Sequence, residues 1–294
     1  MTALPITPHR RGVLSLTVAA LAWGTGGAVA VVLEDRHGLG PVAVSFWRFA
    51  VAAVAVVALR LLRPVGNTAE NLRAAVLSGA GLALSQAAYF AAVGRAGLAV
   101  GTLVTIGASP VLIALGARFL LGERVRGVQA AVLCAAVGGL VLLAGRSGPA
   151  GSAPALGVGL ALVSAFAYSA VILHARRSRG GGAGPAAYFT GTVLLAPFAL
   201  IEGLLPATGA PAAAAGWLLF LGIVPTALAY RWFFAGLATV PAATAAVIAL
   251  LEPLAASLIA LILLGERIGA VGVAGAVVLL ASLGVLGVTS MRQA

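Results

Sequence analysis

The chain has no lysine, a single cysteine and three histidines, and only 9% of its residues are charged. The lone thiol, Cys134, cannot form an intrachain disulfide. Together with three scattered histidines it offers no metal-ligand spacing, so neither a metal nor an organic cofactor is expected. Neither GxSxG nor HExxH occurs, and no residue is assigned a catalytic role. His174 stands beside Arg176 and Arg177, where a surface role is the simpler reading. Rings of charge and a filter loop, which a channel would need, are missing as well.

The scarcity of charge also excludes a soluble domain. Such domains run about 25% charged and about 45–50% apolar. Here 62% of the residues are hydrophobic and the mean hydropathy is +1.12. This composition belongs to an integral membrane protein. A net charge of +11 could suit a nucleic-acid binder, but the arginines sit singly or in twos and threes between apolar runs. The expected surroundings are therefore a lipid bilayer, with no nucleic acid. Arg10, Arg11 and the run after them resemble a signal peptide, with "AVA" at Ala28 to Ala30 as a cleavage site. The apolar run from Val13 to Leu33 is 21 residues, however, against about 7–15 for a signal core, and reads as a first span.

About 20 apolar residues cross the hydrocarbon layer as a helix. Ten runs qualify: 13–33, 41–62, 72–93, 98–121, 127–145, 155–175, 185–205, 213–236, 240–264 and 269–288. Breakers or charges separate them, as in "RPVGNTAENLR", "GERVRG" and "GLLPATGAP". They must be helices, because lipid offers no partner to open backbone. With the N-terminus in the cytoplasm, the inner loops and tails hold twelve arginines and the outer loops four. Both termini are thus expected in the cytoplasm of a multi-pass inner-membrane protein.

"LLGER" occurs twice, at Leu120 to Arg124 and at Leu263 to Arg267, an offset of 143 residues. The same offset lays "YFAAVG" at Tyr89 on "WFFAGL" at Trp232, "ASPVL" at Ala108 on "LEPLA" at Leu251, and Trp23 on Phe166. Each half then holds five spans, and an odd number inverts the second copy. The expected organisation is a tail at 1–12, a first repeat at 13–145, a linker at 146–154, a second repeat at 155–288 and a tail at 289–294. Inverted repeats build many secondary transporters, with the substrate near the midplane. Gly122 and Gly265 would release a helix, and Glu123 and Glu266 would each favour the N-terminus of the next one.

Over essentially its whole length the chain resembles the EamA branch of the drug/metabolite transporter superfamily. The features carrying this are "AALAWGTGGAVA", "SFWRFAVA", and the paired "ASPVLIALGARFLLGERV" and "LEPLAASLIALILLGERI". The resemblance implies an all-α bundle of ten helices in two inverted five-helix repeats. It places spans 1–4 and 6–9 around a central cavity, with spans 5 and 10 peripheral. It further implies a small-molecule permease, most simply an exporter of amino acids or similar metabolites. Drug efflux or uptake on the same fold is the alternative, and a non-transporting receptor or scaffold is the rival from another class.

Ionisable groups inside spans are expensive and mark function. Glu252 lies about 18 Å from the inner edge of its span and Arg48 about 10 Å from the outer edge of its own, so the two share a height. They form either an ion pair or the two poles of a zwitterion site. A carboxyl at that depth also admits proton coupling. Arg231, about 8 Å from the inner edge, snorkels in this reading and is structural. Pro253 follows Glu252, and its repeat mate is Ser109-Pro110. Two prolines at this depth read as hinges or cavity lining. Trp23, Gln86, Tyr89, Phe166, Tyr168, Tyr230 and Trp232 could line the same cavity, and Tyr89 and Trp232, as repeat mates, are carried forward with Ser109 as substrate contacts. Gly272 and Ala276 make a small-residue face for packing within the chain, with a homodimer contact as the second reading.

Overall fold

The computed structural model describes residues 7–62, 71–124, 127–144, 153–178, 184–263 and 269–291. Twelve α-helices follow in order among them: α1 (Pro8–His37), α2 (Pro41–Leu62), α3 (Leu72–Ala96), α4 (Leu98–Leu120), α5 (Gly127–Ala144), α6 (Pro154–Arg177), α7 (Pro185–Glu202), α8 (Pro211–Gly222), α9 (Ala229–Leu237), α10 (Ala242–Ala249), α11 (Leu251–Leu263) and α12 (Ala270–Met291). A π-helical turn, Ile223–Leu228, joins α8 to α9. Eight helical stretches among the described residues are long and apolar enough to cross a membrane. They fall on expected spans 1–4 and 6–9. Two shorter apolar stretches, Gly127–Leu143 and Ala270–Leu286, fall on spans 5 and 10.

Punctuation in the sequence sets the helix ends. α1, α2, α6, α7 and α8 begin on proline, whose missing N–H has no intrahelical partner at that position anyway. The Asn71 side chain accepts from Ala74 N at 3.2 Å and caps α3. α1 outruns its expected span at both ends, from a Thr7 cap to Gly38, whose φ of 64° stops the helix.

The arginines at the start of α1 and α3 and at the ends of α2, α4 and α6 define one face of the bundle, here the Arg-rich face. On it the Glu123 segment does something other than expected. Glu123 Oε2 accepts from Ala242 N at 2.9 Å, at the start of α10 rather than of α5. Its Oε1 pairs with Arg176 Nε at 2.8 Å, and Arg176 Nη1 donates to Leu237 O and Ala238 O at the end of α9, both at 2.9 Å. The carboxylate therefore stabilises a helix N-terminus remote in sequence, and Arg176 a remote C-terminus. Glu266 lies outside the described residues. On the opposite face Glu202 Oε2 accepts from Ala43 N at 2.6 Å, and Trp47 Nε1 donates to Leu204 O at 2.8 Å.

α5 and α12 pack together, away from the centre. Gly139 stands against Gly275 where they meet, and Ala276, from the expected small-residue face, packs against the main core. A Cβ on Gly139 would stand 2.9 Å from Gly275 O and 2.9 Å from Leu279 N, both backbone atoms that cannot step aside. Next to it, a Cβ on Gly138 would meet nothing within 4 Å. Gly139→Val is expected to lower stability by about 1–3 kcal/mol through overpacking, while Gly138→Val stays within about 0.5 kcal/mol. Thermal unfolding of the two variants side by side in one detergent checks this.

Candidate functional site: a polar and aromatic cluster at the bundle centre

The π-turn follows from two adjacent residues. Pro225 has no N–H to give Leu221 O, its partner four residues earlier. Thr226 fills the gap, its hydroxyl donating to Leu221 O at 2.7 Å. Having donated its proton, that oxygen is left to accept, and Arg48 Nε on α2 donates to it at 3.2 Å. A backbone defect in one helix thus becomes the anchor for a charge on another.

The second irregularity lies between α10 and α11. Pro253 cannot donate to Ala249 O, and the helix breaks at Leu250. Glu252 falls in the first turn of α11, where a carboxylate is favoured by the exposed amides of a helix start. The repeat mate behaves differently. Pro110 is buried inside the continuous α4, without a break. Hydroxyls cluster around it: Ser109 Oγ donates to Thr105 O at 2.7 Å and Ser169 Oγ donates to Ser109 O at 3.2 Å. Both hydroxyls bond backbone carbonyls beside the proline, at Thr105 and Ser109, rather than Ile106 O, the carbonyl that Pro110 itself leaves without its N–H partner. Ser109 itself is buried, its hydroxyl proton committed to its own helix.

Arg48 and Glu252 lie within electrostatic reach of each other, yet form no direct ion pair among the described residues. Both are half-buried. Tyr89, Tyr168 and Tyr230 feel the Glu252 charge, and Tyr168, Tyr188 and Tyr230 that of Arg48. Trp23 packs on Tyr230 and Phe233 at centroid distances of 5.1 and 4.9 Å, and Tyr188 lies 6.4 Å from Tyr230. The cluster draws on α1, α2, α3, α6, α7, α9 and α11, which places it at the centre of the bundle. Two donors in it, Trp23 Nε1 and Tyr188 OH, are buried without a partner among the described residues. An unsatisfied buried donor costs about 1–3 kcal/mol, so this pair stands ready for an acceptor that the described residues do not supply.

The structure brings Arg48, Glu252 and Tyr89 into one neighbourhood. Tyr89 OH also shares a hydrogen bond of 2.8 Å with Thr102 Oγ1. Trp232 is half-buried against the main core. Gln86 accepts from Ser45 Oγ at 3.2 Å. Phe166 departs from expectation: it is 66% exposed on the outer surface, whereas its repeat mate Trp23 is 6% exposed. Arg231 is exposed. Thr226 and Tyr188 were not singled out by the sequence. Pro225 before Thr226 inside an apolar run was a legible signal for the first, and nothing local marked the second.

The EamA-like transporter family matches residues 10–145 and again 155–288. The chain belongs to the EamA-like transporter family, and so to the membrane transporters of the drug/metabolite superfamily. It is similar to the uncharacterized transporter YwfM of Bacillus subtilis (strain 168), with 29% identity over 266 residues, 87% of this chain and 86% of that one. A protein of known crystal structure shares the fold with a TM-score of 0.80 at 21% identity, over 96% of this chain and 99% of its own.

Thr226→Val, close in shape but without the hydroxyl, is expected to strand both Leu221 O and Arg48 and to lower stability by about 1–3 kcal/mol. Thr226→Ser keeps the hydroxyl and should stay within about 0.5 kcal/mol of the parent. Denaturation of the three proteins in the same micelle measures the difference.

Proposed function

We propose that the chain is a secondary transporter of the inner membrane that moves a small zwitterionic metabolite, most simply an amino acid, out of the cell. In this reading ten spans form two inverted repeats, 13–145 and 155–288, joined by the linker at 146–154 and flanked by cytoplasmic tails at 1–12 and 289–294. The Arg-rich face is the cytoplasmic one.

One observation carries the substrate class. The Arg48 guanidinium and the Glu252 carboxyl are held at the bundle centre, within electrostatic reach of each other and without a direct ion pair among the described residues. Two charges kept apart in a low-dielectric site gain from a ligand that presents a carboxylate to one and an ammonium to the other. The Arg48 guanidinium is fixed through Nε by Thr226, which leaves its terminal amino groups for a carboxylate. Glu252 accepts the ammonium group, and Trp23 Nε1 and Tyr188 OH offer further donors. Tyr89, Trp232 and Ser109 are the remaining substrate-contact candidates. Pro253, at the break before α11, and Pro110, inside α4, supply the flexible points of alternating access. The inverted repeat supports that mechanism, since equivalent packings face opposite sides.

Arg48→Gln and Glu252→Gln are each expected to weaken transport about 10- to 100-fold, the loss of one charged hydrogen bond. Mass spectrometry of the medium around cells producing the parent chain or either variant, at matched membrane levels, reads this out. An exported zwitterion enriched only with the parent supports the proposal. Equal enrichment with all three sinks the binding roles, and no enriched solute with any of them sinks export.

A further inference from the structure

The outer surface between α3 and α6 carries a groove of about 690 Å³ that the transport site does not use. Its walls are apolar, with Leu77 and Leu84 from α3, Leu112 from α4, and Phe166 and Ala170 from α6. From Leu162 to His174 it follows α6 for about 18 Å, more than half of a hydrocarbon layer about 30 Å thick. At the Arg-rich end the lining changes character. Ser78 is 1% exposed and its Oγ has no partner among the described residues, and His174 Nε2 is likewise buried and unpartnered among them. Both line this groove.

Two arginines bracket the same end. Arg73 precedes Leu77 by one helical turn, and Arg177 follows His174 by three residues, so each lies over the neighbouring turn of a lining helix. Both are exposed, and neither has an ion-pair partner among the described residues. The groove thus requires an occupant with a long apolar part, hydrogen-bonding atoms at one end, and negative charge just beyond. Acyl chains alone would leave Ser78 and His174 unsatisfied, and a soluble anion would leave the apolar walls unused.

We infer that this groove binds an anionic phospholipid of the leaflet at the Arg-rich face. One acyl chain lies along α6, the ester or phosphate oxygens meet Ser78 and His174, and the phosphate lies between Arg73 and Arg177. Basic pockets between membrane helices hold anionic headgroups for this reason, and a juxtamembrane arginine contributes about 5-fold in affinity for an anionic surface. The inference stands apart from the transport reading, because no residue of the central cluster takes part.

Native mass spectrometry of the delipidated full-length protein, titrated with phosphatidylglycerol or with phosphatidylcholine of matched chains, tests it. The parent chain is expected to retain phosphatidylglycerol preferentially. Arg73→Gln with Arg177→Gln should weaken that lipid about 30-fold while leaving phosphatidylcholine unchanged. Ala170→Phe, which fills the groove, should lose both. Equal retention of the two lipids by the parent, or a preference untouched by either change, overturns the site. So does a lipid-free dimer that Ala170→Phe abolishes, which would give the groove to a second copy of the chain. If a variant does not fold, a photoreactive phosphatidylglycerol on the parent decides: adducts on α3 and α6 support the site, and adducts elsewhere overturn it.

Discussion

Inside hydrocarbon a backbone amide or carbonyl has no water to bond, and this constraint orders the whole molecule. Helices are its general solution, and the interesting positions are those where a proline interrupts them. Apart from Pro197, inside α7, three such prolines among the described residues are resolved in three ways. At Pro225 the helix widens into a π-turn and the Thr226 hydroxyl takes the freed Leu221 carbonyl. Around Pro110 the helix stays continuous, with Ser109 and Ser169 hydroxyls bonding the nearby backbone. Before Pro253 the helix breaks outright, leaving Glu252 in the first turn of the half-helix that follows. Two of these three devices place a charge in the centre, so backbone satisfaction and the polar site are one design.

The same economy governs the helix ends. Glu123 serves the start of α10 and Glu202 the start of α2, and each carboxylate comes from another part of the chain. Arg176 joins the end of α9 to Glu123. These bonds lock helices to one another at the two faces. In the middle, packing is aromatic and dense around Trp23, Tyr230, Phe233 and Phe234. A bundle held at its ends by a few polar bonds has discrete places at which one packing can exchange for another.

Much of this was legible in the sequence, because the signals concerned are local. Proline, glycine and arginine between apolar runs mark where helices start and stop, and a charge inside a run is conspicuous by itself. Arg48 and Glu252 were visible on that ground, whereas Trp23 was one of several aromatic residues that could line a cavity and was not carried forward. What escaped were partners distant along the chain. Nothing near Glu123 says that it will serve Ala242 rather than the helix that follows it, and nothing near Arg48 names Thr226. The repeat was informative about organisation but misleading about individual side chains. Phe166 inherits the position of Trp23 and faces outward, and Pro110 inherits that of Pro253 without its break. Duplication preserves the path of the chain, while each copy has since acquired its own neighbours.

The π-turn has one more consequence. It accommodates one residue beyond the number a regular helix would use over the same rise, and each α-helical residue turns the chain by about 100°. Tyr230, Phe233 and Phe234 therefore stand in an azimuthal phase that an unbroken helix from Pro211 would not give them. Removing one residue between Ile223 and Leu228 would restore regular winding and swing that aromatic face away from Trp23. Pro225 and Thr226 set the turn, and the length of this segment sets which way the second half of the helix looks.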